Sequence, residues 1–176
     1  EELVWQNIIK SFLAISCRGP NGFRGQDIHG VKDEIFGFHR LSIVGKYGSS
    51  GMQPIICKGL EHIYSLTNGM IYNHVELSKI FKYDPSSACD VEAVPQMYGK
   101  MGTMEKAVAQ LDGVFASILV DIKAMKTFIA RDTYGVKPVF YFHDEETGVM
   151  IASSEAKGVV TGVQALAKDT ALIMPV

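Results

Sequence analysis

The sequence predicts an α+β domain with largely antiparallel sheets. Three observations carry the prediction: strand-like runs before residue 68, helical segments in the middle of the chain, and several short strands joined by hairpin-length turns after Val114.

The elements follow in order. Leu3, Val4, Ile8, Ile9, Phe12 and Leu13 recur at helical spacing, and Gly19-Pro20 ends that segment. The polar, Gly-bearing stretch to Glu34 reads as loop or short hairpin. Ile35 to Val44 is rich in aromatic and β-branched residues and reads as a buried strand; Gly45 to Gly51 reads as a flexible loop. Ile63 to Thr67 reads as a strand closed by Asn68-Gly69, a strong turn dipeptide. Asn73 with Glu76 makes a capping-box pattern opening a helix through Leu77, Ile80 and Phe81. A helix is expected from Asp90 to about Met101, although Pro95 fits a helix interior badly, and Thr103 caps another towards Leu111. Strands are expected at Val114 to Asp121, Thr127 to Arg131, Val139 to Phe142 and Val149 to Ser153, then a short helix from Glu155 to Val160.

A chain of 176 residues suits one domain, and 47% hydrophobic with 20% charged residues suits a packed core. The net charge of -2 offers no basic surplus for phosphates, which argues against nucleic acid as a partner. No apolar run approaches the roughly 20 residues that span a bilayer, so no membrane partner is expected. Three cysteines make no disulfide framework, and the expected location is the cytoplasm. Glu1 at one end and Met174-Pro175-Val176 at the other read as the limits of a piece cut from a longer protein.

Seven clusters, in order, carry a resemblance: Arg18-Gly19-Pro20, Phe36 to Leu41 (FGFHRL), Gly51-Met52-Gln53-Pro54, Asn68 to Asn73 (NGMIYN), Leu111 to Ala116, Ala130 to Pro138 (ending in RDTYGVKP) and Ser154 to Gly158. Together the chain resembles the glutaminase domain of glutamine-hydrolysing asparagine synthetases, a class II glutamine amidotransferase. The resemblance implies a four-layer α-β-β-α sandwich of two mainly antiparallel sheets, the N-terminal nucleophile fold. Residues 1–176 would then be a single amidotransferase domain lacking its extreme N-terminus and the synthetase domain that follows.

The resemblance also implies site roles. Arg40 would anchor the glutamine carboxylate bidentately, with Leu41, Ser42, Ile43 and Val44 as the strand lining the pocket. Without the motif, Arg40 would read as a surface ion-pair residue. Asn68 (side-chain amide) and Gly69 (backbone N–H) would form an oxyanion hole, with Met70 beside it; the dipeptide alone would read as a hairpin turn. Asp90 would hold the ammonium group of glutamine, its plainer role being a helix cap. The family's nucleophile is a cysteine at the mature N-terminus, whose α-amine acts as base; Glu1 aligns downstream of it, so these residues alone should be inactive. Cys17 lies beside Arg18 but lacks a terminal amine, and Cys57 and Cys89 have no base pattern beside them. The five histidines show no metal-ligand spacing, so no metal is expected, and no cofactor in this domain.

Cys17, Met70 and Pro95 depart from the family pattern, Met70 replacing its usual Glu. The leading expectation is an asparagine synthase in full length, a ligase of amino-acid biosynthesis. Glutamine would be cleaved to glutamate, and the ammonia passed to the C-terminal synthetase domain, where ATP and magnesium serve asparagine formation from aspartate. A homodimer is one assembly the resemblance allows. The alternative is a glutaminase-like scaffold that has lost its nucleophile; a changed acceptor, as in amidophosphoribosyl transfer, is disfavoured by FGFHRL, GMQP and NGxIYN.

Overall fold

The computed structural model describes residues 2–28, 35–41, 51–87 and 89–166. Helix α1 (Glu2–Leu13) opens the chain and lies against the last helix, α5 (Ala156–Leu166), which extends beyond the expected end at Val160. Strand β1 (Gly22–Asp27) pairs antiparallel with β2 (Ile35–Arg40), from Gly22 opposite Arg40 to Asp27 opposite Ile35. Of the two readings of the polar stretch, the hairpin is the one that forms. Its strand propensity is poor, so it is the edge offered by β2 that holds β1 extended. Phe12 of α1 packs over Gly37 of β2, and the His39 ring sits 2.7 Å from the Phe12 carbonyl oxygen.

Strands β3 (Ile63–Ile71), β4 (Gly113–Asp121) and β5 (Lys126–Arg131) form an antiparallel sheet in that order. Here the expectation of a turn at Asn68-Gly69 is corrected: β3 runs straight through both residues, which lie opposite Ala116 and Phe115. The physical reason is a close approach between strands. Gly69 sits at φ 150°, and a Cβ there would overlap the Val114 carbonyl oxygen and the Phe115 backbone. The glycine therefore serves tight pairing instead of chain reversal.

The chain turns at Tyr72-Asn73 into α2 (His74–Phe81). Asn73 occupies the cap position, yet its side chain makes no capping bond. Instead its Oδ1 accepts the Asp112 N–H at 3.0 Å and its Nδ2 donates to the Gln110 carbonyl at 2.9 Å, tying the helix start to the entry of β4. Asp90–Glu92 form a 3-10 turn that leads into α3 (Ala93–Met101). Pro95 is thereby the third residue of α3, in a first turn whose N–H groups have no intrahelical partner, so its misfit disappears. Thr103 does cap α4 (Met104–Val108), accepting the Lys106 N–H at 3.4 Å. Strands β6 (Phe140–His143) and β7 (Met150–Ser153) close a hairpin against α5.

Alternation along β3 divides its side chains between two cores. Ile63 and Ile71 join Leu77, Met97, Phe115 and Leu119 in the larger core, which α3 covers. Burial of each such side chain contributes about 1.5–3 kcal/mol. Tyr64 and Leu66 face the other way and meet Ile28, Phe36 and Val120, with the Phe36 and Tyr64 rings 6.1 Å apart. The β1–β2 hairpin thus packs on the face of the sheet opposite α3. The molecule is α+β with antiparallel sheets, an arrangement consistent with a sandwich. Among the described residues, no helix is long and apolar enough to cross a membrane.

Candidate active site

A cavity of about 1090 Å³ opens on the hairpin side of the sheet. Of the residues expected at the site, Arg40, Leu41, Asn68, Gly69, Met70 and Asp90 all line it. Ser42, Ile43 and Val44 lie outside the described residues, as does the Gly45 to Ser50 stretch.

The open edge of β3 organises the site. Phe115 exchanges both backbone bonds with Asp132: its N–H donates to Asp132 Oδ2 at 3.1 Å, and its carbonyl accepts the Asp132 N–H at 2.8 Å. Phe115 therefore turns both groups away from β3, and the opposing Gly69 is a non-hydrogen-bonded pair whose own N–H and C=O face the open edge. The other outward-facing residues along that edge each have a partner. Ser65 exchanges two bonds with the Ile55 backbone, at 2.8 and 3.1 Å. Thr67 exchanges two with the side-chain amide of Gln53: its N–H donates to Oε1 at 2.5 Å, and its carbonyl accepts from Nε2 at 2.8 Å. Ile71 donates its N–H to Asp90 Oδ2 at 2.6 Å. Gly69 sits between the Gln53 and Asp90 contacts and faces the cavity.

Asn68 points from the same strand towards the cavity, and its Nδ2 is a buried donor with no acceptor among the described residues. An unpaired buried donor costs about 1–3 kcal/mol, so the site holds a donor prepared for an acceptor brought by a ligand.

Arg40, 5% exposed, ends β2 and lines the same cavity. Gly51 adopts φ 87°, and a Cβ there would stand 3.1 Å from the Arg40 guanidinium and 3.6 Å from the Cys89 sulfur. Glycine thus admits both the backbone conformation and the guanidinium. Cys89, which precedes Asp90 in the chain, lies within electrostatic reach of Arg40. Among the described lining residues Asp90 is the one carboxylate, whereas Arg18, Arg40 and Lys137 supply cationic groups.

None of the three thiols suits nucleophilic duty. Burial, reinforced by the Glu92 charge, pushes the Cys57 thiol up to about 12. Burial also raises Cys89, with the Arg40 guanidinium pulling the other way. Cys17 is exposed and does not line the cavity; the Lys157 ammonium stands 3.6 Å from its sulfur, and Glu155 pairs that ammonium at 2.8 Å.

Three supporting residues had no role in the sequence reading. Gln53 was legible only as part of the Gly51 to Pro54 cluster. Glu92, 1% exposed, accepts the N–H and hydroxyl of both Ser86 and Ser87 at 2.6 to 2.9 Å, clamping the loop before Cys89 and Asp90. Burial alone would raise its carboxyl, but those four donors hold it below the ordinary range. Asp132, which stood only inside the Ala130 to Pro138 cluster, gathers the N–H groups of Phe115, Tyr134, Val136 and Lys137, which sets Lys137 at the cavity wall. Their sequence signal was a single carboxylate or amide, which does not distinguish bracing from solvation.

A cavity lined by a guanidinium, a carboxylate and an unpaired amide donor suits a small zwitterion bearing a carbonyl. Residues 2–173 match the glutamine amidotransferase domain family, and the chain belongs to it. It is similar to the asparagine synthetase (glutamine-hydrolyzing) of Homo sapiens, 40% identical over 151 residues that cover 86% of this chain and 26% of that protein. The enzymes of that name from Pongo abelii (40% over 151 residues, 86% and 26% covered) and Bos taurus (42% over 150 residues, 85% and 26% covered) are similar to the same degree. The chain therefore spans about a quarter of the length of these relatives. It is an amidotransferase domain homologous to their glutaminase part.

Proposed function

We propose that this domain hydrolyses glutamine to glutamate and ammonia. The observation that carries the reading is the convergence of Arg40, Asn68, Gly69 and Asp90 on one cavity, with the Asn68 amide unpaired and the Gly69 N–H turned to the open edge. Arg40 takes the α-carboxylate in its planar fork. The second oxygen of Asp90 takes the α-ammonium while Oδ2 keeps the Ile71 N–H. The zwitterion held at both ends directs the side-chain amide towards Asn68 and Gly69.

Attack on the amide carbon converts its carbonyl oxygen to an oxyanion, which accepts from Asn68 Nδ2 and the Gly69 N–H. We assign the attacking thiol to a residue preceding Glu1, because Cys57 and Cys89 are held protonated by burial and Cys17 lies off the cavity. The thiol proton passes to the departing nitrogen, ammonia leaves, and a thioester remains. Water then attacks the thioester, the same two donors stabilise the second oxyanion, and glutamate is released with the thiol restored.

In the finer reading, the antiparallel sheets between helices are the layers of an N-terminal nucleophile sandwich. The full-length protein is an asparagine synthase of the cytoplasm: its synthetase part, served by ATP and magnesium, takes the ammonia to make asparagine from aspartate. The similarity to synthetases about four times as long supports this. No cofactor acts in the glutaminase step itself.

The test is glutamate release by the full-length protein. Asn68→Ala should lower kcat by roughly 10²–10³ with KM little changed, as expected for a donor used only in the transition state. A full-length wild type that releases no glutamate from glutamine contradicts the reading and returns the domain to a scaffold role.

A further inference from the structure

We propose that Gln53 is a positioning residue for the Asn68–Gly69 donor pair, an inference that rests on the glutamine site described above. Gln53 is 4% exposed, and its side chain lies along the open edge of β3. Ile55 of the same segment pairs with Ser65 by its backbone; two residues earlier the chain continues that pairing with a side chain. The Gln53 amide offers one acceptor and one donor, the same complement as a peptide unit, and both are used on Thr67 at 2.5 and 2.8 Å. No other residue type of that length matches both groups. Glu supplies two acceptors, and Met and Leu supply neither.

The consequence reaches the chemistry through one peptide bond. Thr67 immediately precedes Asn68, and its hydroxyl is held on the inner side by the Ser117 hydroxyl at 2.9 Å. Thr67 is therefore fixed on its edge by Gln53 and through its side chain by Ser117. Beyond the donor pair, Asp90 fixes Ile71. Asn68 and Gly69 are suspended between two side-chain clamps, and their donors point where the clamps set them. Asp90 belongs to the proposed substrate site; Gln53 also lines the cavity, but both ends of its amide are engaged by Thr67, so it acts through the strand. Loosening it should move Asn68 Nδ2 and the Gly69 N–H relative to the substrate carbonyl, and displacement of about 1 Å costs about 10²-fold in rate.

The experiment compares wild type, Gln53→Met and Gln53→Glu in the full-length protein, by steady-state glutaminase kinetics and by amide hydrogen exchange. Gln53→Met conserves volume and removes both bonds. It should lower kcat about 10²-fold while KM stays within about twofold, because the affected donors act on the transition state. The Thr67 amide should exchange about tenfold faster or more, with Ser65 still protected by Ile55. Gln53→Glu keeps one acceptor for the Thr67 N–H and should fall between the two. Folded variants, judged by the Ser65 protection, that retain wild-type kcat overturn the proposal. So does an unchanged Thr67 exchange rate, or a loss confined to KM. A wild type without glutaminase activity defeats the reading of the site itself, and is told apart because the variants then have no activity to lose.

Discussion

Asp90 Oδ2 accepts the backbone N–H of Ile71 at 2.6 Å, so the carboxylate proposed to hold the substrate ammonium is also a strand brace. The two duties separate by substitution. Asp90→Asn keeps an acceptor for Ile71 and loses the charge; Asp90→Ala loses both. Asp90→Asn should melt near wild type yet weaken glutamine binding at least tenfold, whereas Asp90→Ala should also lose about 1–3 kcal/mol of stability. Calorimetric titration beside thermal melting checks both. Equal binding by wild type and Asp90→Asn would remove Asp90 from the ammonium site.

Gly69→Ala is expected to be among the most damaging single changes. The new methyl would overlap the Val114 carbonyl oxygen and the Phe115 backbone at a φ that other residues avoid. Roughly 2–4 kcal/mol of stability should be lost, measured by denaturant unfolding. An alanine variant as stable as wild type would mean that β3 does not run against β4 at this point.

Glu92 gives the domain an acid-sensitive element. Its folded pKa lies below the ordinary 4.5, because the Ser86 and Ser87 donors outweigh burial. A depressed carboxyl contributes stability that is fully present above the unfolded pKa and disappears as pH falls through the folded value. Wild-type stability should therefore decline below about pH 4.5 more steeply than that of Glu92→Gln, which starts about 1–3 kcal/mol lower at neutral pH through its mismatched donors. Parallel acid limbs for the two proteins would contradict this role.

Cysteine labelling should follow burial. Cys17 is exposed, Cys89 half-buried, and Cys57 buried with its thiol pushed up to about 12. Alkylation of the native protein near pH 8 should modify Cys17 first and Cys57 last, read by peptide mass analysis. Early modification of Cys57 would show that the α3-side core is open.

The fold was legible wherever a segment's own pattern agrees with its tertiary setting. The strand β4 and the Thr103 cap of α4 are read correctly because local preference and packing coincide. The Asn68-Gly69 signal misleads because a glycine with positive φ serves a turn and a tight strand crossing equally well, and only Phe115 opposite decides between them. Pro95 misleads because the 3-10 turn at Asp90–Glu92 shifts where the α-helix begins. At the site, Arg40, Asn68, Gly69 and Asp90 were singled out through family spelling, and the structure brings all four to one cavity. Gln53 and Glu92 were not assigned roles, because their work is done on backbone groups that composition does not reveal.

The central claim is that Arg40 and Asp90 clasp the two ends of one free amino acid. Calorimetric titration of glutamine into this chain, wild type beside Arg40→Ala, tests it most directly. Saturable heat from the wild type and none from Arg40→Ala is the predicted result. Undiminished binding after the guanidinium is removed would contradict it.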